Sequence, residues 1–180
     1  MLKQWKWLLV ITLALFTNSL PCYAQSSYPN KPIKLFVGFP PGGGVDFTAR
    51  LIAPYLAEAL GQQVIVENKP GAAGVIALSE LTRAAPDGYT LAVANIGPMV
   101  LAPNMVTKKP YDPLKDFTFI ARTNGQTFGI VVLSDSKFKS LKEVIEFARA
   151  NPGIVSYAHA GAGGATHVAM EQFANAAGIK

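Results

Sequence analysis

Apolar positions along this chain alternate between short continuous runs and longer stretches with helical spacing. Ile33 to Phe39 opens on an apolar, β-branched segment suited to a buried strand. Phe47, Leu51, Ile52, Tyr55, Leu56 and Leu60 then mark one face of a helix running from Asp46 to Leu60. Gly61 is placed to cap its end, and Pro54 is expected to kink it. Val64 to Val66 reads as a second strand, Asn68-Lys69-Pro70-Gly71 as a loop, and Ala72 to Ala84 as a helix of small residues. Pro86-Asp87-Gly88 is a turn by composition, and Tyr89 to Ala94 a third strand. Pro103 to Phe117 has little periodicity and reads as a crossover. Phe128 to Leu133 predicts a fourth strand, and Ser140-Leu141-Lys142-Glu143 a capping box that starts a helix ending near Ala150 at Asn151-Pro152-Gly153. Ile154 to Tyr157 predicts a fifth strand, before an amphipathic helix carrying Met170, Phe173, Ala174 and Ala177. Apolar strands alternating with helices predict an α/β fold with a mainly parallel sheet covered on both faces. Ligand sites then belong at the carboxyl ends of the strands.

The first 24 residues follow another logic. Lys3 and Lys6 precede the apolar run Leu8 to Phe16, with Pro21 and small residues near Ala24, the layout of a cleaved secretory signal peptide. A membrane-spanning helix needs ~20 apolar residues, more than this run provides. The single cysteine, Cys22, falls inside the leader, so the exported chain is expected to use neither a disulfide nor a cysteine nucleophile. A lipid anchor on Cys22 is the competing reading, and Pro21 fits a lipoprotein cleavage box poorly. Removing Lys3 and Lys6 from the 16 basic residues leaves a small, scattered surplus over the 11 acidic ones, which does not point to nucleic acid.

The chemistry concentrates in two glycine-rich strand-to-helix loops. Phe39, Pro40, Gly42, Gly43, Gly44, Val45 and Asp46 form the first; Gly161, Gly163, Gly164, Ala165, Thr166 and His167 the second. At such a helix start the backbone N–H groups lack intrahelical partners and the dipole is positive, so a carboxylate or phosphate is stabilised there. Hydrogen bonds to a charged group are worth ~1.5–3 kcal/mol each, so two or three amides hold a small anion without a basic side chain. A ligand-free βα turn uses glycine in the same way. Asp46 suits a helix cap better than an anion ligand, because one carboxylate repels another. Arg50 reads as a solvated or inter-helix residue, and His167 either as a neutral hydrogen-bond donor near the cleft or as packing at the helix start. Asn95-Ile96-Gly97-Pro98 leaves the third strand at the same sheet edge, which makes Asn95 and Ile96 candidate contributors. Neither loop fits a nucleotide fingerprint, no nucleophile elbow is present, and His159 and His167 lack the companions a zinc site needs. No catalytic residue, cofactor or metal is implied.

Taken together, Phe39-Pro40-Pro41-Gly42-Gly43-Gly44-Val45-Asp46 with Ala49-Arg50, Val66-Glu67-Asn68-Lys69-Pro70-Gly71-Ala72-Ala73-Gly74, Ala85-Pro86-Asp87-Gly88-Tyr89-Thr90, Pro110-Tyr111-Asp112-Pro113 with Asp116-Phe117, and Gly161 to His167 resemble the Bug-type extracytoplasmic solute receptors. These are the periplasmic binding components associated with tripartite tricarboxylate transporters. The resemblance covers the whole chain, leader included. It implies a periplasmic-binding-protein-like, two-lobed Venus-flytrap fold that closes on a small mono- or dicarboxylate and serves membrane transporter subunits. Residues 25–102 would belong to the first lobe, 103–125 to the crossover and 126–180 to the second lobe. Phe39 and Gly42 to Val45 would form the first cradle and Gly161 to His167 the second. Gly164 stands where many relatives carry serine, which leaves the far end of the ligand open. Relatives continue well past Lys180, so the resemblance implies a C-terminal portion missing here, an exposed sheet edge, and marginal stability and binding for this chain alone. Two other classes stay open: an exported enzyme acting on a carboxylate substrate, and a non-functional remnant.

Overall fold

The computed structural model describes residues 28–125 and 127–180; the expected leader and Cys22 lie outside them. Residues 31–180 belong to one unit. Its centre is β1 (Ile33–Val37), paired in parallel on one side with β2 (Val64–Asn68) and on the other with β3 (Thr90–Val93), in the order β2-β1-β3. Leu35 lies opposite Val66 on one flank and Leu91 on the other. Because strand side chains alternate faces, Leu35 and Val37 pack with Val45, Ala49 and Ala53 of α1 (Gly44–Leu60), while Phe36 points to the opposite face. There α2 (Val75–Leu81) brings Ala77 and Leu78 against Gly38 and Ala92. The chain thus steps from β1 to β2 on one side and returns to β3 on the other, over opposite faces of the sheet. Such a reversal marks the carboxyl end of β1 as the place where α/β folds put their ligands.

The helix over 44–60 starts earlier than the expected Asp46, with Gly43 as N-cap, and ends at Gly61 in the left-handed conformation, φ 65°. It continues through Pro54 as one helix. The expected helix over 72–84 is replaced at its start by a tight turn, Ala72–Gly74, in which Ala72 and Ala73 adopt φ of 46° and 53°. Each residue in that region costs an L-amino acid ~1–2 kcal/mol, so helix propensity has been overridden by the packing of this turn against both loops. Beyond β3 the crossover is more structured than its composition suggests. A π-turn, Gly97–Leu101, leads into α3 (Ala102–Asn104), and Tyr111, 4% exposed, donates its hydroxyl to Pro98 O at 2.6 Å.

The expected strands over 128–133 and 154–157 do not form. An apolar run records which residues could be buried, but a strand exists only where a neighbour pairs its backbone. No described residue offers that ladder, and Val131 and Leu133 are left 89% and 79% exposed. The helices flanking them match expectation. Ser140 caps α4 (Leu141–Ala150) by accepting from Glu143 N, and Glu143 in turn accepts from Lys139 N, one residue before the cap. The last helix, α5 (Ala165–Ala177), is capped by Gly164 and closed by Gly178.

Candidate functional site

The two glycine loops share one geometry. Gly43, N-cap of α1, has φ −78° and ψ 165°, and Gly164, N-cap of α5, has φ −78° and ψ 169°. Each is preceded by a glycine with positive φ, Gly42 at 86° and Gly163 at 76°, a conformation that only glycine adopts without strain. In each loop the N–H of that preceding glycine bonds to the side chain of the third helical residue. Gly42 N donates to Asp46 Oδ2 at 2.9 Å, and Gly163 N to His167 Nδ1 at 3.1 Å. The helix-start amides of Gly44 and Val45 in the first loop, and of Ala165 and Thr166 in the second, have no protein partner among the described residues. They carry the positive end of each helix.

Asp46 is therefore not the N-cap that its sequence position suggests. It is the third helical residue, within the first turn and 3% exposed, and its carboxylate accepts from Arg50 Nε at 3.1 and 3.0 Å, from Asn68 Nδ2 at 2.8 Å and from Gly42 N. Arg50 foremost, then the Gly42 amide and Asn68, hold its pKa down to about 2. With its oxygens so engaged, Asp46 organises the first loop from within. Asn68, at the end of β2, ties the set together by donating also to Phe39 O at 3.0 Å and accepting from Arg50 Nη2 at 2.9 Å. Arg50 is thus half exposed, as a solvated residue would be, while its guanidinium also ties Asp46 to Asn68. The signal for this arrangement was present in the Asp46/Arg50 spacing of four, which stacks the two on one helix face.

The loops meet around the Ala72–Gly74 turn, which sequence reasoning left out of the site. A methyl built on Gly38 would lie 2.6 Å from Gly74 Cα, and one on Gly74 3.3 Å from Phe39 Cε2 and 3.0 Å from Pro98 Cγ. On the other side of the turn, methyls on Gly161 and Gly164 would approach Ala73 to 3.4 and 3.5 Å, and one on Gly97 would come within 3.3 Å of Ala165 N. Glycines here permit close backbone approach. By contrast, methyls on Gly42 and Gly44 would meet nothing within 4 Å, so the first cradle faces open space. Pro40 borders that cradle through its carbonyl, 3.6 Å from the position of a Gly43 methyl. Asn95 folds its Oδ1 back onto Gly97 N at 3.2 Å, while Ile96 is 51% exposed. Thr166 is engaged within its own loop, its Oγ1 accepting from Ala160 N at 3.1 Å. The roomier grooves lie elsewhere. One of about 410 Å³ follows β2 and α1, and one of about 630 Å³ separates α3 from α5 and borders His167.

A parallel α/β sheet with helix N-termini near the carboxyl end of its central strand fits a periplasmic-binding-protein-like fold. Comparison with known proteins is more specific. The model of the tripartite tricarboxylate transporter family receptor (TctC) matches residues 48–180, and the chain belongs to this family. The UPF0065 protein in the gbd 5'region of Cupriavidus necator is 41% identical over 170 residues, a match covering 94% of this chain and 51% of that protein. Among solved structures, a periplasmic transporter is 38% identical with a TM-score of 0.76, covering 86% of this chain and 52% of its own. MatC from Rhodopseudomonas palustris, solved with bound malate, is 29% identical with a TM-score of 0.74, covering 85% and 52%. A second R. palustris protein, solved with adipate, is 28% identical with a TM-score of 0.73, covering 85% and 51%. The chain spans about half the length of the relatives it matches.

Proposed function

We propose that this chain carries the anion-gripping part of a periplasmic solute receptor and holds a small carboxylated solute by backbone amides of its two glycine loops. The observation that carries this reading is the duplicated cap geometry, in which two helix starts, on loops that both pack against the Ala72–Gly74 turn, present amides without a partner among the described residues. Backbone amides and helix dipoles read negative charge, and two proteins of similar fold were solved with malate and with adipate. Phe39, Gly42, Gly43, Gly44 and Val45 form the first cradle; Gly161, Gly163, Gly164, Ala165, Thr166 and His167 shape the second, with Asn95 and Ile96 beside them. Residues 25–102 correspond to the first lobe, 103–125 to the crossover and 126–180 to part of the second, and the leader directs export to the periplasm. The solute passes on to membrane transporter subunits, and no chemistry is done on it. Calorimetric titration of the chain with malate, adipate and a panel of mono- and dicarboxylates tests this. Saturable binding without turnover is expected. Conversion of the solute would point to an exported enzyme, and no heat with any carboxylate would leave the chain without the receptor role.

A further inference from the structure

The two loops have the same backbone but are seated on different acceptors, and the difference lies in what happens to them as pH falls. In the first loop the Gly42 amide rests on a carboxylate; in the second, two amides rest on imidazoles. Gly163 N donates to His167 Nδ1 at 3.1 Å, and Gly161 N donates to His159 Nδ1 at 3.0 Å. A ring nitrogen can accept only while it carries no proton, so both bonds require neutral imidazoles with the proton on Nε2. The two rings lie with centroids 4.7 Å apart and planes tilted by 43°. His167 Nε2 lies 3.8 Å from Glu171 Oε1, an oxygen that also accepts from Tyr157 Oη at 2.6 Å, and the Tyr157 ring lies 5.8 Å from His159. The groove wall facing His167 from the π-turn and α3 offers Val100, Leu101, Asn104 and Met105, none of them charged. Glu171 and the neighbouring imidazole are thus the titratable groups that face His167.

We infer that His159 and His167 are positioning residues for the second glycine loop, fixing it by accepting the Gly161 and Gly163 amides through their neutral Nδ1 atoms. Protonation at Nδ1 withdraws both acceptors, so the loop loosens on acidification while the first loop, on Asp46, does not. The inference concerns the loop itself and stands apart from the carboxylate reading. If that reading holds as well, the second cradle is the pH-sensitive half of the site.

The test is a series of amide correlation spectra and hydrogen-exchange rates on the intact chain from about pH 8 to pH 5, the window of imidazole protonation. Ring-nitrogen spectra identify the tautomer. Expected are Nε2–H tautomers at the upper end, and Gly161 and Gly163 amides that shift and lose protection in step with the imidazoles. Gly42 serves as the internal reference, its amide constant across the window. His167→Asn, which retains a local acceptor, should make the Gly163 amide insensitive to pH, and should leave Gly161 following His159. An Nδ1–H tautomer, or Gly161 and Gly163 amides unmoved while both rings titrate, overturns the inference. The wild-type titration decides the matter even where the variant fails to fold.

Discussion

Replacing Gly44 by alanine separates a glycine kept for function from one kept for folding. Gly44 is the first residue of α1, its φ is not left-handed, and a Cβ there meets no atom within 4 Å. Alanine should then stabilise the chain by ~0.4–1 kcal/mol, through reduced freedom of the unfolded state. For a domain of this size that is a rise in Tm of about 1–4 °C. Side chains on a helix lean toward its N-terminus, so the methyl projects toward the space in front of the cradle amides. Displacing an anion from one of them forfeits a charged hydrogen bond of ~1.5–3 kcal/mol, or roughly 10- to 150-fold in affinity. Gly42→Ala is the control. It also meets nothing within 4 Å, but at φ 86° it should cost ~1–2 kcal/mol of stability from backbone strain. Thermal unfolding and calorimetric titration with malate or adipate read both quantities. A Gly44→Ala chain that melts higher but binds as tightly as wild type would refute the first loop as a carboxylate cradle. One that melts several degrees lower would refute the geometry from which the gain was reckoned.

Gly38→Ala should be among the most damaging single methyls in the chain, because its Cβ would lie 2.6 Å from Gly74 Cα, an atom of backbone that cannot rotate away. Overpacking of this kind costs ~1–3 kcal/mol, read as a lower urea midpoint, and an unchanged midpoint would show that β1 and the Ala72–Gly74 turn are not in contact. Tyr111→Phe keeps the ring edge-on to Phe117 at 5.3 Å but removes the 2.6 Å bond to Pro98 O. A loss of ~1–3 kcal/mol in urea unfolding is expected, reflecting the orphaned carbonyl, and a neutral result would place that carbonyl in water. Asp46, with a folded pKa of about 2 against an ordinary 3.8, contributes stability that is fully present above pH 4. It is lost as pH falls from there through 2, because the unfolded state takes up the proton first. Asp46→Asn should therefore flatten the acid limb of a pH-stability profile, and an unaltered limb would mean the network with Arg50 and Asn68 is not formed in solution.

What could be read from the residues was what local chemistry settles. The β1 run, the Ser140 capping box and the glycine stop at 61 each state their role within a few positions, and the structure agrees; the expected α1 face does not hold, since Phe47, Leu51 and Tyr55 are exposed while Val45, Ala49 and Ala53 pack on the sheet. What escaped depended on neighbours distant in sequence. Ala72 and Ala73 favour helix by propensity, yet both take left-handed φ where the turn packs between Gly38 on one side and Gly161 and Gly164 on the other. Pro70-Gly71 before them and Gly74 after them were the available turn signals. The runs at 128–133 and 154–157 carry strand composition, but pairing belongs to the sheet as a whole, and none is supplied by the described residues.

Asp46 shows why a correct motif can assign the wrong role. A carboxylate after a glycine loop reads as a cap, and a cap would have spent its oxygens on the helix-start amides. Set instead at the third helical position, it reaches backward to Gly42 and sideways to Arg50 and Asn68, and leaves the Gly44 and Val45 amides without a partner among the described residues. His167 takes the same position in α5 and likewise spares Ala165 and Thr166. The shared feature of the two loops is thus the removal of the side-chain acceptor from the cap to the turn behind it. That arrangement forgoes a direct side-chain cap at each helix start, and it is the feature on which the proposed carboxylate reading rests.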